Sequence, residues 1–232
     1  MGKYVFLEGE QTTGGTGPIS AEDVSYATTS DPDIANVKEA LDKLLYVSPS
    51  INMSGGSTHE IGETVHGVHL TWSFNKEIVS QSLDHGIGDL PLDVHAYDWP
   101  DDITANTSFQ LTASDGETTV HGSTSVIFQR KAYWGASSEE SLDNAAILAL
   151  SQAFATSRSK SVTYDCTGFK YPFYCYPASF GELSNVNVGG LAFSDYSQEI
   201  VSLTNASGHT EDYYVTRFNG IQTGENIVVS WA

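Results

Sequence analysis

A chain of 232 residues suffices for one large domain or two small ones, and its 40% apolar, 11% aromatic and 17% charged residues describe a folded protein rather than a disordered one. Lys and Arg number 10 against 29 Asp and Glu, a formal charge of -19 that repels nucleic-acid phosphates and anionic lipid surfaces. Nucleic acid is thus excluded as an expected partner, and so is membrane insertion, because no apolar run approaches spanning length.

Residues 1–20 form a leader. Its apolar residues Tyr4, Val5, Phe6 and Leu7 carry charge on both sides and are too few for a secretory signal, so synthesis in a cytoplasm is expected. The run GEQTTGGTGP that follows has no core of its own. The leader should therefore order only on a partner, with Tyr4, Val5, Phe6 and Leu7 as its anchors.

Residues 21–48 contain an amphipathic helix. Asp31 is the expected N-cap, Pro32 the first helical residue and Asp33 a favourable charge near the positive end of the helix dipole. Ile34, Val37, Leu41 and Leu44 recur at steps of three, four and three, a narrow heptad seam flanked by Lys38, Glu39, Asp42 and Lys43. A helix of about a dozen residues is marginal alone and needs a partner. Two readings stay open: the seam packs on this chain's next domain, or it joins copies of the chain in a small bundle.

From residue 49 the pattern changes to period two. In VHLTWSFN, Val68, Leu70, Trp72 and Phe74 share one face, and Phe109, Leu111 and Ala113 repeat the alternation before the hairpin signal Asp115-Gly116. Short strands and turn signals over residues 49–132 suit a small immunoglobulin-like β-sandwich, although the cysteines of antibody domains are absent. The stretch SEESLDNAAILALSQAFATS reads as a second helix with Leu142, Ala146, Ala149 or Leu150, and Phe154 as its apolar stripe, covering a sheet. The rest of residues 133–232 forms a C-terminal β module, with turn candidates Ser207-Gly208 and Asn219-Gly220 and a last strand whose Ile227, Val229 and Trp231 point inward. The fold class is mainly β.

The two cysteines lie in YDCTGFKYPFYCYP. If Thr167 to Lys170 turn a hairpin, Cys166 faces Tyr171 and Cys175 faces Val162, beyond disulfide reach, so two free thiols are expected. Along the same strand Tyr171, Phe173 and Cys175 share one face and Tyr174 and Tyr176 the other. Exposed tyrosines stack on sugar rings, which makes Tyr174 and Tyr176 candidate glycan contacts; the alternative is that they pack.

No metal site is expected. His59 and His66 lack the four-residue step of a helical zinc motif, and His66 and His69 stand three apart on a strand. No nucleophile elbow or phosphate loop occurs, and GGTG lacks the Lys and helix that a phosphate cradle needs. Acidic pairs in WPDD, SEES and EDY arise readily among 29 carboxylates. No catalytic residue and no cofactor is assigned, and the chain is expected not to be an enzyme.

The segment AEDVSYATTSDPDIANVKEALDKLL, through Ala21, Val24, Tyr26, Ala35, Val37, Ala40, Leu41, Asp42 and Leu44, resembles one found in tail fibre, head fibre and related virion proteins of tailed bacteriophages. The stretches YWGASSEESL to CYPASFG and VGGLAFSDY to EDYYVTRF are similar to a C-terminal β module of phage structural proteins. In such fibres the short helix joins three chains. The resemblance implies a non-enzymatic virion structural protein: a surface fibre or decoration component, made in the host cytoplasm and carried on the virion surface. Its expected partners are two further copies of itself, forming a homotrimer, and other virion proteins of capsid, neck or tail. The alternative is an adhesin whose C-terminal module binds a host surface glycan.

Overall fold

The computed structural model describes residues 20, 21, 23–25 and 34–232. The chain divides into two compact units, Met1–Ser48 and Pro49–Ala232. The leader anchors Tyr4, Val5, Phe6 and Leu7, and the expected capping residues Asp31, Pro32 and Asp33, lie outside the described residues.

In the first unit, helix α1 runs Val37–Leu45 and is capped by Asn36, whose Oδ1 accepts a hydrogen bond from the Glu39 amide at 2.9 Å. The described helix thus begins after Ile34, which precedes it instead of sharing its face, and it spans nine residues. An Asx side chain three residues before an acid is a stronger start signal than a proline alone, because it satisfies amides that the first turn leaves open.

The second unit is mainly β. Strands β1 (Ile51–Ser54), β2 (Ser57–Glu60), β3 (Val65–Phe74), β4 (Ser80–Leu83), β5 (Gly88–Asp89), β6 (Ala96–Ile103), β7 (Thr107–Ser114) and β8 (Thr119–Ser137) come first. An antiparallel sheet β1-β3-β6 faces β4, β7 and β8 of a larger sheet. Between them lie Val68, Leu70, Trp72, Leu83, Ile103, Phe109, Leu111 and Val126, the core of a two-sheet sandwich. The alternation in VHLTWSFN is realised from Val68 onward, after a register shift between His66 and Val68. The buried indole of Trp72 donates to Gln81 Oε1 at 2.9 Å, so that polar atom of the core is satisfied, whereas the buried Nε1 of Trp99, which packs on the same core, has no hydrogen-bond partner among the described residues. At the β7–β8 hairpin, Asp115 Oδ1 accepts from the amides of Glu117 and Thr118, and Gly116 takes a φ of +97°. The signal Asp115-Gly116 therefore opens a loop of residues 115–118.

Beyond β8 come helix α2 (Asn144–Leu148) and strands β9 (Ser151–Ala155), β10 (Lys160–Tyr164), β11 (Tyr171–Pro177), β12 (Val186–Val188), β13 (Leu191–Ala192), β14 (Tyr196–Thr204), β15 (Thr210–Phe218) and β16 (Ile227–Trp231). The second helix is shorter than its apolar stripe indicates. It ends at Leu148, and Ser151–Ala155 extends to pair with β8, aligning Ala153 with Ala132. The stretch of β8 past its pairing with β7 needs a backbone partner, and that demand overrides helix propensity. Phe154 is consequently on the surface, with the Lys131 ammonium 5.7 Å from its ring centre. Ile147 still covers the sheet, wholly buried, and Leu150 packs where Gly135 has no side chain: a Cβ there would meet Leu150 at 2.8 Å.

Strand β11 lies between β8 and β15 in the order β14-β15-β11-β8-β7-β4-β5 and is buried along its whole length. One face, Tyr171, Phe173 and Cys175, packs with Tyr133, Ile147, Leu203, Tyr213 and Val215. The other carries Tyr174 and Tyr176 against the second sheet, β10-β16-β12-β13, where Val229 and Trp231 point inward as expected and Ile227 packs beside them. Ser207-Gly208 turns the β14–β15 hairpin, whereas Asn219-Gly220 begins a longer connection to β16.

The expected boundary between residues 132 and 133 falls inside β8, a strand of 19 residues. The sandwich and the C-terminal sheet are therefore built on one continuous strand. Where they meet, the buried Glu60 carboxylate accepts from Lys131 Nζ at 2.8 Å and from the Tyr133 hydroxyl at 3.1 Å. The Asn205 amide also donates to the Ile61 carbonyl at 2.7 Å. Replacing the fully buried Phe109 by alanine should cost about 3 to 5 kcal/mol. Denaturant unfolding followed by tryptophan emission and by far-ultraviolet circular dichroism is expected to show one coincident, earlier transition, because damage to the sandwich is felt along β8.

Candidate functional site

Among the described residues of the first unit, the helix stripe is the feature most suited to interaction. Three amides of its first turn are satisfied without water: Val37 N donates to the Val24 carbonyl at 3.0 Å, Lys38 N to the Ala21 carbonyl at 3.2 Å, and Glu39 N to Asn36. Glu39 closes the cap by accepting from the Ala35 amide at 2.6 Å. The carbonyls of Ala21 and Val24 therefore serve the helix as a backbone cap. Lys38 and Asp42 form an i,i+4 pair at 2.8 Å, and Glu39 and Lys43 stand at the ends the helix dipole favours.

No residue of α1 is buried. Val37 is half-buried, while Leu41, Leu44 and Leu45 are 46%, 78% and 72% exposed. Ile34 is half-buried ahead of the helix. The seam read from the sequence omits Leu45, Tyr46 and Val47, which are also exposed and extend the apolar strip past the last turn. Their plain apolarity in LLYV was the available signal. Removing the exposed area of Leu41, Leu44 and Leu45 from water is worth on the order of 3 to 6 kcal/mol per chain.

Tyr174 and Tyr176 do not form a binding surface. They are 1% and 0% exposed, stack on each other at 5.2 Å, and Tyr174 also stacks on Trp231 at 5.6 Å. The assignment of these two residues to separate strand faces from Tyr171, Phe173 and Cys175 was sound, but both faces are core, because a second sheet covers the side expected to be open. Their hydroxyls are engaged internally, Tyr174 donating to the Arg158 carbonyl at 2.9 Å and Tyr176 accepting from the Gln198 amide at 2.7 Å. Neither ring is therefore accessible to a glycan.

Both cysteines are free and buried. The hairpin assumed for them is not formed: β10 pairs with β16, and Cys175 lies opposite Val215 and Tyr133. Cys166 and Cys175 belong to cores on opposite sides of the sheet. Burial raises both thiols above their ordinary range, so neither is a nucleophile at neutral pH.

Four of the histidines pair with one carboxylate each: His66 with Asp102 at 2.7 Å, His69 with Asp98, His59 with Glu63 at 3.0 Å and His85 with Asp84 at 2.8 Å. Among the described residues no three potential ligands converge.

No protein-family model matches the chain, and no curated protein does. Among solved structures it is similar to the N-terminal eight immunoglobulin domains of Down syndrome cell adhesion molecule, at 7% identity and a TM-score of 0.25, over 75% of this chain and 23% of that one. It is also similar to a tandem of titin immunoglobulin domains, at 10% identity and a TM-score of 0.22, over 75% of this chain and 83% of that one. The chain thus spans under a quarter of the first of these, and the sandwich described above rests on its own strand pairing.

Burial also pushes the Tyr176 hydroxyl up to about 12 from an ordinary 10. Folding favours the neutral phenol, so this contribution is full below pH 10 and is lost as pH rises from there toward 12. Tyr174 and Tyr213 are shifted the same way by burial. Stability measured by denaturant titration should accordingly fall between pH 10 and 12. In the same protein at neutral pH, a thiol-alkylating reagent should label neither cysteine until denaturant is added, and then both.

Proposed function

We propose that this chain is a non-enzymatic structural protein of a bacteriophage virion, a surface fibre or decoration component that trimerises through α1 and attaches by its N-terminal leader. The observation that carries this reading is the exposed apolar strip of Leu41, Leu44 and Leu45 on a helix whose N-terminus is fully capped. A nine-residue helix is too short to persist by propensity alone, and copies of itself supply the missing core. The resemblance of Ala21–Leu44 to helices that join three chains in phage fibres supports the same arrangement. The net charge of -19 favours protein partners over nucleic acid within a particle. The adhesin reading has lost its candidate contacts with the burial of Tyr174 and Tyr176.

Light scattering of the purified protein should give three times the chain mass, and Leu44→Asp, which sets a carboxylate in the seam at a cost of several kcal/mol, should give one. Circular dichroism of the variant should still report the β unit. An unchanged mass in Leu44→Asp overturns trimerisation through α1. Attachment is tested separately: immunogold labelling of particles should mark the virion surface, and deletion of residues 1–17 should yield a folded oligomer that no longer labels particles. Particles never labelled by the intact chain would overturn the virion assignment.

A further inference from the structure

The long sheet ends at β14. Its inner side is held by β15 throughout Tyr196–Thr204, and among the described residues no strand lies on its outer side. The direction of its backbone groups follows from the ends of the ladder. Asn205 N donates to the His209 carbonyl and Asn219 N to the Asp195 carbonyl, so the odd-numbered residues of this strand bond inward. Thr204 faces outward, and both its groups are met by one side chain: its amide donates to Asn144 Oδ1 at 2.7 Å, and Asn144 Nδ2 donates to its carbonyl at 2.9 Å. The Asn144 carboxamide thus does for Thr204 what the next strand's peptide group would do. Ser202, Ile200 and Gln198 share the outward parity, and among the described residues no such partner meets their amides and carbonyls.

Of the other edges in the unit, β6 carries Pro100 together with Asp98, Asp101 and Asp102, β5 and β13 span two residues each, and β1 and β10 span four and five. β14 has no proline, no lysine and no register shift over nine residues, and Ile200 on it is 58% exposed. The surroundings are acidic. Glu199 is exposed on the strand, Asp212 is exposed opposite Ser202, and Glu182 is exposed beside the Tyr214 hydroxyl. The nearby cations are committed, Arg130 to Glu211 and Arg217 over the Tyr171 ring.

We propose that the edge of β14 from Gln198 to Ser202 takes up an extended, basic segment of another protein as an additional strand. Main-chain hydrogen bonds to Gln198, Ile200 and Ser202 supply the register, an apolar side chain packs on Ile200, and Lys or Arg residues of the segment meet Glu199 and Asp212. This inference stands apart from the helical seam and from the virion assignment.

The test uses the full-length protein and two synthetic nonapeptides of alternating valine and threonine, one with three lysines and one with glutamates in their place. Amide hydrogen exchange read by NMR should show Ile200 and Ser202 slowed at least tenfold by the lysine peptide and unchanged by the glutamate peptide. Ile200→Pro, which removes an outward amide while proline remains tolerated at a sheet edge, should abolish binding of the labelled lysine peptide. Glu199→Lys, an exposed change that leaves the fold intact, should weaken the lysine peptide and admit the glutamate one. Absence of protection at these amides, or equal protection by both peptides, overturns the proposal. Protection that appears without peptide and grows with protein concentration would assign the edge to a second copy of the chain and overturn it as well.

Discussion

The backbone ladder of β8 is the constraint on which residues 49–232 depend. An extended strand of 19 residues must find hydrogen-bond partners for its whole length, and β8 finds them in succession. β7 pairs with its first part, β2 runs parallel to residues 126–129, and β9 and β11 take its last part. Each partner brings apolar residues with it, so Val126 contributes to the sandwich core while Ala132 and Tyr133 contribute to the two cores beyond. The ion pair of Glu60 with Lys131 lies where β2 leaves β8, and a buried charge pair of that kind fixes geometry more than it adds stability.

The two units meet the need to bury apolar surface in different ways. In the second, β11 is enclosed on both faces, by a sheet on one side and by Ile147 and its neighbours on the other. In the first, α1 spends its polar groups on its own cap and leaves its leucines outward. In the reading proposed above, a helix built in that manner is an element of assembly.

The two proposed contact surfaces differ in kind. The strip of Leu41, Leu44 and Leu45 is apolar and non-directional, so in the proposed bundle its partner would be selected by shape and hydrophobic repeat. The β14 edge is directional, since its outward amides and carbonyls dictate strand register before any side chain acts. With a charge of -19, approach of other acidic proteins is opposed at longer range, which would add selectivity to either proposed contact.

Periodicity alone was enough to place Val68, Leu70 and Trp72, Phe109 and Leu111, and Val229 and Trp231 in cores, since alternation on a pleated strand depends on local geometry. It also separated Tyr174 and Tyr176 from Tyr171, Phe173 and Cys175. Which of those two faces met water was not a local matter: a strand buried on both sides and a strand buried on one carry the same alternation when aromatic residues supply it. The length of α2 was likewise undecided, because Ser151–Ala155 satisfies a helical stripe and a strand equally well until β8 offers unpaired backbone. The non-pairing of β10 with β11 and the free edge of β14 depend on which strands become neighbours, a choice made by long-range packing and absent from any short window of residues.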